Sequence, residues 1–339
     1  MKTRRSFIAA ALAAVMALTI APLSGCGAAG TDAQAPQQSA AEQKETVRVA
    51  GLKGPTTIGL VDLMAKAKDG QTQDFYEFTV SGTPDEVVQK VVSGDVDVAL
   101  VPSNLAAVLY QKTDGKVVAI DVNTLSPLCA VTAAEGVTDV GDLAGRTVYI
   151  SGKGATPEYT LNYLLEGAGV AGSANVQYKS EHAEVVAALA EDPDAVAVLP
   201  QPFATVAISK VPGAAVAFNL GEAWKEVAPK GSELVMGVTV TRADFMAEHA
   251  DAVSRFVECQ RESVDSVLAD PEAAAKLVVE QGIIDNEAVA AKAIPQCGLA
   301  CLTGKDMKDA LSGYLSVLFD ADPASVGGGM PEDDFYWLD

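Results

Sequence analysis

Short β-branched runs alternate with helical segments along most of the chain, and the order repeats. Apolar runs fall at 47–51, 75–81, 96–101 and 117–122, and again at 147–150, 176–179, 195–199 and 215–220. Near-continuous apolar strands separated by helices predict parallel sheets covered on both faces. Helix starts agree. Thr83-Pro84-Asp85-Glu86 offers an N-cap threonine, proline at the first helical position and glutamate three residues after the cap, and Thr156-Pro157-Glu158 repeats the cap and the proline. A further apolar run at 234–241 predicts one more strand before a helical C-terminal part. There Val253, Phe256, Val257, Val264, Val267 and Leu268 share one helical face, as do Leu311, Tyr314, Leu315, Leu318 and Phe319.

The body is one unit written twice. Lys53-Gly54 and Thr56 recur one hundred positions later as Lys153-Gly154 and Thr156. Glu86-Val87-Val88 recurs as Glu184-Val185-Val186, and Val101-Pro102 with Ala106 recurs as Leu199-Pro200 with Ala204. Repetition at a domain length implies two similar lobes rather than a solenoid, whose period is roughly 20–50 residues. The runs 128–132 and 234–241 follow the two copies at matching places, so they are expected to cross between lobes, with hinges at 123–133 and 233–241.

The first residues read as an address. Lys2, Arg4 and Arg5 precede an uncharged apolar run at 7–20, shorter than the ~20 residues of a spanning helix. Leu23-Ser24-Gly25-Cys26 follows and resembles a bacterial lipobox, whose Cys26 thiol is acylated and becomes the mature N-terminus. Thr3-Arg4-Arg5-Ser6-Phe7-Ile8 fits a twin-arginine export signal as well as an ordinary basic start. Residues 27–46, rich in Ala, Gln, Gly and Ser, form a flexible tether. The expected division is a lipoprotein signal at 1–26, the tether, lobe 1 at 47–124 and 236–339, and lobe 2 at 125–235. The protein is then lipid-anchored on the outer face of a cell membrane.

Composition narrows the function. The 339 residues carry a net charge of −21, which phosphate backbones repel, so no nucleic-acid partner is expected. Two histidines are too few for a His-rich metal centre or a Ser-His-Asp hydrolase. His182 reads as a solvent-facing helix-start residue and His249 as surface. Cys129, Cys259, Cys297 and Cys301 read as buried free thiols, with Cys297 to Cys259 or Cys301 the alternative pairing.

Asp142-Leu143-Ala144-Gly145-Arg146-Thr147-Val148-Tyr149, Gly152-Lys153-Gly154-Ala155-Thr156-Pro157, Leu199-Pro200-Gln201-Pro202-Phe203-Ala204-Thr205 and Gly94-Asp95-Val96-Asp97 carry a resemblance. From about Val47 onward the chain resembles type II extracellular solute-binding proteins of ABC importers, nearest the sulfonate, nitrate and taurine binders. The resemblance implies an α/β, periplasmic-binding-protein type II fold, two Rossmann-like lobes with a ligand cleft between them. It also implies a monomer that takes a small-molecule ligand to an ABC permease and its ATPase, with no enzymatic activity, cofactor or metal.

Ligands in open α/β sheets bind outside the carboxyl ends of the strands, where free helix N–H groups favour an anionic or polar solute. That rule selects Lys53, Thr56, Ser103, Asn104, Lys153, Thr156 and Gln201, with Ser81 a weaker candidate. Glu158 beside Thr156 opposes an anion. Enzymes on the same fold, a chorismate dehydratase or a thiamine-pyrimidine synthase, are the alternatives. The lipobox and the missing cysteine-rich iron-site pattern oppose them. A binding lobe feeding a sensor is a third reading.

Overall fold

The computed structural model describes residues 44–230 and 232–338. The signal at 1–26, Cys26 itself and the tether as far as residue 43 lie outside the described residues. Residues 43–339 form one compact unit.

The first copy runs β1 (Thr46–Leu52), α1 (Pro55–Ile58), α2 (Val61–Lys68), β2 (Phe75–Ser81), α3 (Pro84–Ser93), β3 (Val98–Pro102), α4 (Ser103–Lys112) and β4 (Val117–Leu125). β5 (Leu128–Thr132) leads into the second copy. That copy comprises β6 (Thr147–Ser151), α5 (Thr156–Gly167), β7 (Asn175–Lys179), α6 (His182–Glu191), β8 (Val196–Pro200), α7 (Phe203–Lys210), β9 (Ala215–Asn219) and α8 (Leu220–Val227). The chain then returns through β10 (Val235–Arg242), α9 (Ala243–Glu248), α10 (Ala250–Ala269), α11 (Pro271–Glu280), α12 (Glu287–Ala293), β11 (Leu299–Leu302) and α13 (Gly304–Ala321).

Two sheets result, ordered β11-β4-β10-β3-β1-β2 and β7-β6-β8-β5-β9. The expectation of purely parallel sheets is corrected. β10 runs antiparallel between β3 and β4, and β5 runs antiparallel between β8 and β9. Each crossing strand therefore leaves one copy and completes the sheet of the other. β3 and β8 are buried at every residue, which explains why they read as unbroken apolar runs.

The sheets are not isolated bodies. One apolar cluster joins Ala99 and Val101 of the first sheet, Val148 and Val198 of the second, and Trp224 and Tyr314 between them. Thr160 and Tyr314 place their hydroxyls 2.9 Å apart, tying α5 to α13. On the other side Ile283, Ile284 and Ala290, around α11 and α12, share a core with Phe203 and Ala204 of α7. Cys129, Cys259, Cys297 and Cys301 are all free thiols, so the alternative pairing is set aside. Among the described residues, no helix is long and apolar enough to cross a membrane.

Candidate functional site

Between the two sheets lies a cavity of about 620 Å³, its mouth included. Matching corners of the two copies build it. The β1–α1 corner contributes Lys53, Pro55 and Thr56, and the β6–α5 corner contributes Ser151, Gly152, Ala155 and Pro157. The β2–α3 corner gives Gly82 and Pro84, where β7–α6 gives Ser180, Glu181 and His182. Pro102 and Pro200 end β3 and β8, and the crossing strands supply Met236 and Leu128. Strand carboxyl ends thus face one another across the cleft, as the open-sheet rule requires. At the mouth the lobes approach closely: a Cβ added to Gly82 would lie 2.7 Å from Glu181 Oε1.

The seven residues selected from sequence separate into four groups. Lys53 and Thr56 line the cavity. Ser103, Asn104 and Thr156 instead meet each other in a buried seam between α4 and α5. Ser103 Oγ lies 3.1 Å from Thr156 Oγ1 and donates to the Val235 carbonyl at 2.6 Å. Thr156 Oγ1 donates to Asn104 Oδ1 at 3.0 Å, while Asn104 Nδ2 donates to the carbonyls of Gly154 and Ser325. Gln201 is buried and caps α7, accepting from the Thr205 N–H at 3.2 Å and the Thr205 hydroxyl at 2.7 Å. Lys153 is exposed, with Nζ 5.6 Å from the centre of the Tyr178 ring.

The duplication makes one asymmetry informative. Thr156 is held by Ser103 and Asn104, but Gln201, the counterpart of Ser103, folds back on Thr205. Thr56, the counterpart of Thr156, is left with Oγ1 buried and unpartnered at the cavity wall. The close passage of β10 fixes it there, since a Cβ on Gly237 would lie 2.6 Å from Thr56 Cγ2.

His182 requires a correction. It is half-buried and lines the cavity, with Nδ1 2.5 Å from Ser151 Oγ and its ring 5.0 Å from that of Phe203. Although the residue keeps some surface, its imidazole is desolvated, which pushes the pKa down to about 4 and leaves the ring neutral at physiological pH. The signal in the sequence was positional: His182 and Pro84 are each the first helical residue after the second strand of their copy.

Two N–H groups just ahead of the helix caps are already occupied. Gly152 and Gly154 take left-handed φ angles of 80° and 74°, which suit glycine, and the Gly154 N–H donates to the Glu158 carboxylate. The Ser180 N–H donates to Glu184 Oε2 at 2.9 Å.

Two sheets exchanging a crossing strand around an interlobe cavity define the type II periplasmic-binding-protein fold. The chain belongs to the NMT1/THI5-like family, whose model matches residues 77–274. No curated protein sequence matches it. An ABC transporter protein of Parabacteroides distasonis superposes with a TM-score of 0.71 at 21% identity, covering 86% of this chain and 98% of that one. The periplasmic aliphatic sulphonate-binding protein of Escherichia coli gives 0.67 at 13% identity, covering 87% and 92%. The periplasmic nitrate-binding protein of Synechocystis gives 0.61 at 11% identity, covering 84% of each chain.

Proposed function

We propose that this protein is the solute-binding component of an ABC importer. It is anchored through acylated Cys26, closes its lobes on a small polar solute, and hands that solute to a permease and its ATPase. Lobe 1 comprises 47–124 and 236–339, lobe 2 comprises 125–235, and they open about 123–133 and 233–241. The observation that carries this reading is the buried, unpartnered Thr56 hydroxyl at the wall of a cavity built from equivalent corners of both copies. A buried hydroxyl without a partner costs about 1–3 kcal/mol, which a bound ligand recovers. Family membership and the fold of the neighbouring transporter proteins support the same reading.

The test is a thermal-shift panel of sulfonates, nitrate, carboxylates, amino acids and thiamine precursors on the purified protein. A true ligand at 100 times its Kd adds about 2.7 kcal/mol of stability. No shift with any member, together with no stimulation of a co-expressed permease and ATPase, would sink the importer role. Mass spectrometry of the membrane fraction tests the anchor: an unacylated N-terminus refutes it.

A further inference from the structure

Resting on the binding role above, we propose that the solute is uncharged and elongated. Its hydrogen-bonding head sits between Thr56 and the Ser151–His182 pair, and its apolar tail runs past Glu181 into a groove between α6, α7 and the turn that joins α11 to α12.

The charge follows from what already fills the cleft. An anion at a helix start is held by free N–H groups and nearby cations. Here the Gly154 N–H is taken by Glu158, and the Ser180 N–H by Glu184. Lys153 lies over Tyr178 and does not line the cavity. Lys53 remains, but Glu181 stands at the same rim, and both residues border the same two cavities. An anion would therefore meet the Glu181 carboxylate at the rim, with Glu158 and Glu184 engaged at the two neighbouring corners and Lys53 alone among the lining residues to offset them. Besides Lys53, the side chains left to hold a head are neutral: the Thr56 hydroxyl, which has no partner, and the imidazole whose Nδ1 is engaged by Ser151. That imidazole offers its other nitrogen as donor or acceptor, according to tautomer.

The length follows from continuity. Lys53, Gly82, Glu181 and His182 border the interlobe cavity and also a second one of about 1140 Å³. The second cavity runs between α6, α7 and the turn joining α11 to α12, with Val186, Phe203, Val206, Ile284 and Val289 along it. Phe203, its ring tilted against that of His182, marks the junction. Ser209, Lys210, Asp285 and Asn286 also border it, so its lining is mixed; a compact ion would leave this extension unused, whereas a chain or second ring lying along its valines, Ile284 and Phe203 removes apolar surface from water.

A matched pair of probes tests both parts. N-phenyl-1-naphthylamine is neutral and two-armed; 1-anilinonaphthalene-8-sulfonate is the same skeleton carrying one negative charge. Fluorescence titration of the purified protein should show the neutral probe binding at least about tenfold tighter than the sulfonate. Thr56→Val and Val206→Asp should each weaken the neutral probe by about tenfold or more, with far-ultraviolet circular dichroism unchanged. Val216→Asp, at an exposed position on β9, should not. Equal or tighter binding of the sulfonate overturns the neutral head. Neutral-probe affinity indifferent to Val206→Asp overturns the tail, and no binding of either probe overturns both. These failures are separable from failure of the importer role: a compact anion emerging from the thermal-shift panel refutes the solute class and upholds the binding protein.

Discussion

Ser103 on α4 and Thr156 on α5 bring their hydroxyls to 3.1 Å across the seam between the two copies, and neither faces the cavity. Their partners are Asn104, the Val235 carbonyl and each other, so the pair fastens one lobe to the other. Thr156→Ala should lower stability by about 1–3 kcal/mol in urea denaturation, because Asn104 Oδ1 and Ser103 Oγ lose a buried partner. Ligand affinity should change less than twofold. A loss of affinity larger than the loss of stability would place the solute on Thr156 after all.

The two lysines at equivalent corners should behave differently. Lys153→Ala removes an exposed ammonium held over Tyr178 and should leave ligand affinity and melting temperature unchanged. Lys53→Ala alters the cavity mouth and should shift affinity measurably by calorimetry. Equal effects from both would show that Lys153 reaches the solute in solution.

Two desolvated groups oppose one another in acid. Asp121 is fully buried; Oδ1 accepts from Thr239 at 3.0 Å and Gln260 at 2.9 Å, while Oδ2 has no partner. Burial pushes its pKa up to about 7 from an ordinary 3.8. Between those values the unfolded chain ionises and the folded one keeps its proton, so this group's contribution falls as pH rises. His182, pushed down to about 4 from 6.5, acts the other way: the unfolded chain takes up a proton first, so stability falls as pH drops through that window. Asp121→Asn should therefore raise the melting temperature relative to wild type at pH 7.5 and close the gap at pH 4. His182→Gln should gain relative to wild type at pH 4. A pH-independent difference in either variant would contradict these assignments.

Asp97 anchors the first sheet. Arg48 grips it with Nε at 2.9 Å and Nη2 at 2.6 Å, and Arg242 Nη1 adds a third contact at 3.2 Å. Breaking a buried ion pair costs about 3–5 kcal/mol, but both arginines keep surface and can rehydrate. Asp97→Asn should cost less, about 2 kcal/mol, by chemical denaturation. An effect below 0.5 kcal/mol, on the order of a neutral surface change, would mean the carboxylate is dispensable.

Local pattern carried the architecture further than it carried the site. β2 was legible to the residue, and β6 and β8 within one, because short β-branched runs between helix caps leave little choice. The antiparallel placement of β5 and β10 was not, since apolar runs buried on both faces look alike in either direction. At the site, the carboxyl-end rule pointed to corners that meet at a cavity, and Lys53 and Thr56 line it. It does not say which way a side chain turns. Ser103, Asn104 and Thr156 found each other, Gln201 found Thr205, and His182 turned inward because Ser151 and Phe203 wait there.

Five of the residues around the cavity are Pro55, Pro84, Pro102, Pro157 and Pro200. A pyrrolidine ring has no rotamers to freeze and no N–H to leave unpaired. Those parts of the wall therefore meet a guest already ordered, and the ordering left for binding falls on the side chains between the rings, such as Lys53 and Met236. At the rings, discrimination comes from outline. A molecule too broad for the rings finds nothing that yields, and one too narrow finds nothing that follows it inward. The close contact at the mouth lies between the Gly82 backbone and the Glu181 carboxylate, so a turn of that one side chain widens the way in.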